Sequence, residues 1–152
     1  MKVANFEDIQ AEFMRRAEAA IYCNVATVDP QGRPRSRVLH LVWEGTTGWV
    51  ITKPDSPKAR DLQHNPQVSI AYFHDPYKPL YIEATTKWVT DVDEQWRVWH
   101  LYKTIPLGWD LEPHYGSIEN PLFGLLKFIP WRIELAQLGE KSLVWQMDST
   151  ET

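Results

Sequence analysis

Several features that define other protein classes are scarce in this sequence. Of 152 residues only one is cysteine and seven are glycine, and 16 lysines and arginines are outnumbered by 20 aspartates and glutamates. A single cysteine excludes an internal disulfide and a multi-cysteine metal site. The net charge of −4 argues against nucleic acid and anionic membranes as partners, because both attract basic surfaces.

Long apolar runs and common catalytic motifs are also missing. No segment approaches the ~18 consecutive apolar residues of a membrane-spanning helix, and the opening MKVANFEDIQ lacks the apolar segment of a signal peptide. The G-x-G-x-x-G, Walker A, H-E-x-x-H and G-x-S-x-G patterns do not occur. We therefore expect a cytoplasmic protein whose chemistry does not depend on one of these motifs.

Histidine and cysteine give no sign of a metal centre. The histidines are scattered without the spacing of metal ligands, and we predict no metal site from His40, His64, His74, His100 and His114. Cys23 lies within an apolar run, which indicates a buried, unreactive thiol.

Aromatic residues, by contrast, are abundant: eight Trp, six Tyr and five Phe. Rings this large need a core, a partner or a planar ligand to pack against. Apolar residues first recur at helical spacing, which predicts a helix over about residues 5–19 with Asn5 as its cap. The spacing then changes to that of strands separated by turns such as Asp29–Gly32, which predicts an antiparallel meander.

Two further helices and a long loop complete the outline. Ser56 followed by proline predicts one helix start, and Asp91 with Glu94 three residues later predicts another. The segment Thr104–Pro121 reads as a long loop, and such loops inside small domains are often functional. We expect a single domain over residues 1–152: mainly β with flanking helices, a closed or split barrel over about 20–147, and a short polar C-terminal tail.

One local cluster departs from the acidic average. Arg33, Arg35 and Arg37 occupy five positions at a strand start, and Lys58 follows Ser56 in the first turn of a predicted helix. A lysine is electrostatically unfavourable there unless an anion is present, because helix N-termini attract negative charge. The pattern predicts a phosphate site; the alternative is a set of solvated surface charges.

An ordered set of short motifs in this region resembles the pyridoxamine 5'-phosphate oxidase-like family, the FMN-binding split barrels. The set consists of Ala26–Asp29, Gly32–Pro34, Arg37–Leu39, Thr52, Ser56–Lys58 and Asn65–Ser69. Its strong part runs from Ile21 to Phe73, and Pro130–Glu140 resembles the family's last strand more weakly. No single piece is specific, but the order and spacing are.

The resemblance implies a homodimer of six-stranded antiparallel split β-barrels with FMN at the subunit interface. By position, Arg37 and Lys58 would hold the flavin phosphate, helped by Ser56 and Arg35. The remaining implied contacts to ribityl chain and ring are the backbone of Val38 and Leu39, with Thr52 and Lys53. Trp109 in the long loop and Trp131 near the closing strands are candidates to cover the ring; core or interface packing is the alternative.

Departures from the family pattern concern contacts to both the flavin and the substrate. The vitamin oxidases carry a lysine, an arginine, a tryptophan and an Arg-x-His pair at positions that here are Val42, Pro57, Ala136, Ser142 and Val144. The substrate-phosphate residues are therefore missing, and we do not expect oxidation of pyridoxamine phosphate. The resemblance is closer to the short, stress-associated relatives.

The leading hypothesis is an FMN-dependent oxidoreductase acting with a small-molecule substrate or electron donor, and the sequence nominates no catalytic residue. One alternative is a flavin-binding or stress-associated protein without turnover. Others are a deazaflavin-dependent reductase and a haem-binding split barrel, for which His114 is the candidate ligand.

Overall fold

Alternating buried and exposed residues account for most of the strands. The computed structural model describes residues 1–148, so the polar tail beyond residue 148 lies outside the described part. In β2 the side chains of Cys23, Val25 and Thr27 point inward and those between them outward. The strands are β1 Lys2–Val3, β2 Cys23–Val28, β3 Pro34–Leu39, β4 Val42–Glu44, β5 Thr47–Ile51, β6 Gln67–Tyr72, β7 Leu80–Trp88, β8 Leu125–Leu135 and β9 Leu143–Gln146.

In the described part of the chain, four helices flank the sheet: α1 Glu7–Ala20, α2 Pro57–His64, α3 Val92–Leu101 and α4 Glu112–Tyr115. The predicted caps of α2 and α3 are confirmed, since Ser56 accepts from the Ala59 N–H and Asp91 from the Glu94 N–H. The predicted cap of α1 is wrong: the N-cap is Phe6, which makes no side-chain cap. Asn5 instead donates its N–H to Asp8 Oδ2 at 3.3 Å.

Within residues 1–148, six strands close into a barrel that has one break. Strand β2 pairs with β3 and β6, β6 with β7, β7 with β8, and β8 with β5, which also pairs with β4. Only His40 and Leu41 separate β3 from β4, so one bent run of chain completes the ring. This is the expected split barrel. Residues 1–148 contain nine strands and not six, because the bent run counts twice and because β1 and β9 extend one edge.

Two apolar clusters hold the structure together. The larger lies between α1 and the barrel interior and includes Phe13, Ile70 and Phe128, each fully buried. The smaller joins α3 and the segment after it to β4 and β5 through Val42, Trp49 and Tyr102. Most of the tryptophans therefore pack within these clusters, which gives the aromatic excess a structural role.

The predicted loop Thr104–Pro121 contains the short helix α4 and packs on the smaller cluster through Ile105 and Leu111. Within residues 1–148, no helix has both the length and the apolar character needed to cross a bilayer. The buried thiol is confirmed: Cys23 is 2% exposed and burial raises its pKa to about 12.

Candidate functional site

A tight turn sets the register that brings the arginines of β3 to the site. Asp29 Oδ1 accepts from the N–H groups of Gln31 and Arg33, each at 2.9 Å, and its Oδ2 accepts from Arg33 Nε at 2.8 Å. The resulting register places Arg35 opposite Thr27 and Arg37 opposite Val25. Because directly opposed residues share a sheet face, the Arg35 and Arg37 side chains lie on the inward face. The Arg33 guanidinium binds Asp29 within the turn and is not part of the site.

Helix α2 begins beside these arginines. Ser56 Oγ accepts from the Ala59 N–H at 3.3 Å, and the Ser56 carbonyl accepts from the Arg60 N–H at 3.2 Å. Pro57 has no N–H to offer. Within the described residues, the Lys58 N–H is therefore the one backbone donor of this first turn left without a partner, and an anion would depend mainly on side chains.

Arg37 is held by a buried polar pair. Its Nη1 donates to Thr27 Oγ1 at 2.8 Å, and Thr27 Oγ1 donates to Asp61 Oδ2 at 2.9 Å. Arg37 Nη2 lies 3.6 Å from the same Asp61 oxygen. Thr27 is 1% and Asp61 3% exposed, so the network reaches from the core to the half-buried guanidinium. Burial lowers the pKa of Arg37, opposed by Asp61 and reinforced by Arg35.

The positive charge of Lys58 is poorly compensated by negative groups. Its Nζ donates to Ser56 Oγ at 3.4 Å, and in the part of the chain that the structure describes no carboxylate reaches ion-pair distance of it. Burial lowers the pKa of Lys58, and the nearby positive charge of Arg37 lowers it further. Two cations thus face each other in a half-buried location, which costs free energy unless an anion joins them.

This donor set fits a phosphate group. A guanidinium, an ammonium, one helical N–H and a serine hydroxyl converge beside the start of α2, and Arg35 adds positive charge. Guanidinium and ammonium groups form charge-assisted hydrogen bonds with phosphate oxygens. The structure therefore brings together Arg37, Lys58, Ser56 and Arg35 from the sequence prediction.

The other predicted contacts surround this cluster more loosely. Thr52 is buried and donates its N–H to the Gly124 carbonyl at 2.9 Å, while exposed Lys53 pairs with Asp55 at 3.3 Å. Leu39 packs partly on the main core, whereas Val38 is 68% exposed on the outward face of β3.

Trp109 lies at the break between β3 and β4. Its ring packs edge-on against Tyr102 with centroids 5.0 Å apart and lies tilted against His40 at 5.2 Å. His40 directly follows Leu39, so Trp109 is adjacent to the segment expected to line a flavin. The ring is half-buried and also serves the smaller apolar cluster.

Trp131 occupies a different surface. The pairing of β7 with β8 passes from Glu83 opposite Arg132 to Ala84 opposite Pro130, so Trp131 is the extra residue of a bulge. Its Nε1 donates to Gln67 Oε1 at 3.1 Å. The ring forms one wall of an open groove of about 480 Å³ on the outward sheet face, whose lining includes Ala26, Ser69 and Glu83.

Two groups that hold Arg37, Asp61 and Thr27, were not predicted from the sequence. Asp61 follows Lys58 by three residues, and this spacing places both side chains on one face of the helix. The spacing could have indicated that Asp61 lies near the cationic cluster. Thr27 falls opposite Arg35 once the hairpin register is set by the turn. His40 was also missed as a neighbour of Trp109, since only the packing of the long loop brings them together.

The residues that depart from the family pattern lie in the following surroundings. Val42 is 1% exposed within the smaller apolar cluster, where a lysine ammonium would be buried without a partner. The Ala136 carbonyl accepts from Arg16 at 2.7 Å. Val144 lies in β9, paired with Lys2 of β1. His114 is exposed on α4, and among residues 1–148 no three His, Cys, Asp or Glu side chains come together as a metal site.

Comparison with known proteins identifies the family. The family model described as pyridoxamine 5'-phosphate oxidase matches residues 9–136, most of the chain. The pyridoxine/pyridoxamine 5'-phosphate oxidase of Haemophilus influenzae is 36% identical over 73 residues, which cover 47% of this chain and only 35% of that enzyme. General stress protein 26 of Bacillus subtilis is 24% identical over 144 residues, covering 92% of this chain and 96% of that protein.

Solved structures share the fold. A pyridoxamine 5'-phosphate oxidase-related, FMN binding protein from Nostoc punctiforme PCC 73102 superposes with a TM-score of 0.73 at 22% identity. The alignment covers 99% of this chain and 94% of that one.

Proposed function

This chain belongs to the pyridoxamine 5'-phosphate oxidase family, and on that premise we propose that it binds FMN and acts as a flavin-dependent oxidoreductase on a substrate other than pyridoxamine phosphate. The observation that carries the proposal is the half-buried pair of cations, Arg37 and Lys58, beside the start of α2. A related protein of the same fold is described as FMN binding, which supports the same cofactor here.

The phosphate of the flavin would be held by Arg37 and Lys58, with Ser56 and Arg35 in support. Arg37 is already fixed on Thr27, so little side-chain entropy is lost when its free N–H groups bind an anion. The segment Val38–Leu39, together with Thr52 and Lys53, would border the ribityl chain and ring. Trp109, whose ring contacts His40 next to that segment, would cover part of the flavin ring.

When bound, the flavin would supply the electron or hydride transfer. The protein itself would bind and orient the flavin and limit the access of water to it. The loss of the vitamin oxidases' lysine at Val42, now part of an apolar cluster, and of their substrate-phosphate residues supports a different substrate.

We extend the proposal to a homodimer formed through the outward sheet face. Val38 is 68%, Tyr81 43% and Trp131 37% exposed there, and the groove beside Trp131 has small residues on its floor. Large exposed apolar side chains on one face are typical of interfaces. Ala26→Arg in this groove is expected to yield monomers by light scattering, whereas Tyr77→Arg in the exposed β6–β7 turn leaves the dimer intact. Monomeric wild-type protein refutes this extension.

The first test is absorption spectroscopy of the purified protein, followed by titration with FMN. We expect flavin bands and quenched flavin fluorescence for the wild type, and loss of both for Arg37→Ala combined with Lys58→Ala. The matched control is Arg15→Ala, which removes an exposed arginine paired with Glu12 on α1. Protein that takes up neither FMN nor a deazaflavin contradicts the proposal.

A second measurement separates an enzyme from a binding protein. Reduction of the bound flavin by NADH or NADPH, followed by transfer of electrons to an acceptor, supports an oxidoreductase. Binding without reduction by any donor favours a store or sensor, the alternative suggested by the similarity to general stress protein 26. The haem-binding alternative through His114 and the cytoplasmic location stay predictions.

A further inference from the structure

Asp61 is a buried carboxylate beside a site that is proposed to bind an anion. It is 3% exposed, and its Oδ2 accepts from Thr27 Oγ1 at 2.9 Å. A buried carboxylate loses much of its hydration, so it is retained in a fold when neighbouring groups compensate it. Arg37 is the cation that compensates it here.

The contact between the two charges is loose. Arg37 Nη2 lies 3.6 Å from Asp61 Oδ2, beyond the usual distance of a charge-assisted hydrogen bond, and the direct bond of Arg37 goes to Thr27 at 2.8 Å. Thr27 has one hydroxyl hydrogen, which it donates to Asp61, so its oxygen faces Arg37 as an acceptor. Asp61 thereby orients Arg37 through Thr27 and leaves most of the guanidinium hydrogens available.

The surrounding charges explain why the carboxylate is needed. Arg37 experiences the positive charges of Arg35 and Lys58 and the negative charge of Asp61. Three cations and one carboxylate leave the cluster with about two net positive charges, comparable to the −1.5 to −2 carried by a phosphate monoester at neutral pH. Without either Asp61 or a bound anion, the three cations would repel one another at a partly buried location.

We propose that Asp61 is an internal counter-anion that positions Arg37 when the site is empty and competes with the cofactor phosphate for it. The inference rests on the proposed function, in that the competing ligand is a phosphate group. Asp61 stabilises the protein in the absence of a bound anion, and it lowers the affinity of the site for the phosphate. It is a positioning residue, because it acts through Thr27 and Arg37.

The decisive variant is Asp61→Asn, which keeps an oxygen to accept from Thr27 and removes the charge. We expect the ligand-free variant to melt at a lower temperature than the wild type and to bind FMN about tenfold more tightly, the factor expected for one unit charge near a partly exposed anion. The affinity for riboflavin, which has no phosphate, is expected to stay unchanged. A purely structural role would shift both affinities alike. Asp93→Asn, which removes an exposed carboxylate on α3, is the control.

Inorganic phosphate provides a test that does not need the flavin. At matched ionic strength, phosphate is expected to raise the melting temperature of Asp61→Asn more than that of the wild type, while chloride raises neither. If the variant does not fold alone, refolding in phosphate is expected to recover it. Thr27→Val, which breaks the link without a change of charge, is expected to shift the ratio of FMN to riboflavin affinity less than Asp61→Asn.

The outcomes separate the two proposals. If the wild type does not bind FMN but is stabilised by phosphate through Arg37, the proposal of flavin binding is refuted. The phosphate measurements then still decide the role of Asp61. Weaker phosphate binding by Asp61→Asn overturns the inference even if FMN binds the wild type. A variant that is neither stabilised nor recovered by phosphate overturns it as well.

Discussion

Replacing Lys58 with methionine is expected to change the ligand-free protein and the flavin complex differently. The Lys58 ammonium donates to Ser56 Oγ at 3.4 Å, and burial together with Arg37 lowers its pKa. Methionine has a similar length and no charge to desolvate. We therefore expect the free energy of unfolding to stay within about 1 kcal/mol of the wild type, with any change toward greater stability.

Flavin binding should respond in the opposite direction. A hydrogen bond between charged groups contributes about 1.5–3 kcal/mol, so the loss of Lys58 should weaken FMN binding by roughly 10- to 150-fold. Riboflavin should bind the variant and the wild type alike, because only the phosphate meets Lys58. The assays are quenching of flavin fluorescence for affinity and urea unfolding for stability.

The pH dependence of the same variant supplies a further check. Because the folded-state pKa of Lys58 is lowered, the unfolded chain binds more protons in alkaline solution just below the ordinary lysine range. Stability of the wild type should rise with pH across that window, and this contribution should be absent from Lys58→Met. Lys141→Met, at an exposed position between β8 and β9, is the control. Destabilisation by more than about 1 kcal/mol, or equal loss of FMN and riboflavin, would refute the reasoning.

Three further predictions concern groups away from the phosphate cluster. Arg16→Met should lower the free energy of unfolding in urea by about 2–4 kcal/mol, because buried Arg16 donates to the Pro79 and Ala136 carbonyls, and Arg15→Met on the exposed face should change it little. Cys23 should resist a thiol reagent at pH 8 until the protein unfolds, because its pKa is raised to about 12; rapid reaction of the native protein would contradict the burial. Burial lowers the pKa of His40, so stability should fall as the pH drops below about 6.5, and His40→Gln should remove part of that loss in melting experiments from pH 7 to pH 5.

The turn and cap chemistry of this chain could be predicted because it is local. Ser56 and Asp91 accept from N–H groups three residues away, and the Asp29–Gly32 turn brings its own donors and acceptors. Such interactions depend on a few neighbouring residues, so their residue types identify them. The start of α1 was predicted wrongly, because Asn5 has a residue type that favours N-caps but here donates its backbone N–H to Asp8.

The cationic half of the candidate site was also predictable, whereas its acidic half was not. Arg37 and Lys58 stand out from an acidic chain and coincide with a helix start. Asp61 was not singled out from the sequence, since its hydrogen-bond partner Thr27 lies 34 residues earlier in the chain. A contact between distant segments leaves no periodic pattern in the sequence.

By itself, the sequence determined the alternation of strands and helices, the family resemblance and the presence of a local cationic cluster. These properties follow from hydrophobic periodicity, caps and short motifs, which act over a few residues. Only the tertiary structure decided that β3 and β4 complete the barrel around a break at His40 and Leu41. It also decided that Trp131 lies on a β-bulge, while Trp109 packs against Tyr102 and His40. It also decided that Asp61 faces Arg37, because barrel closure and side-chain networks depend on contacts between segments that are distant in the chain.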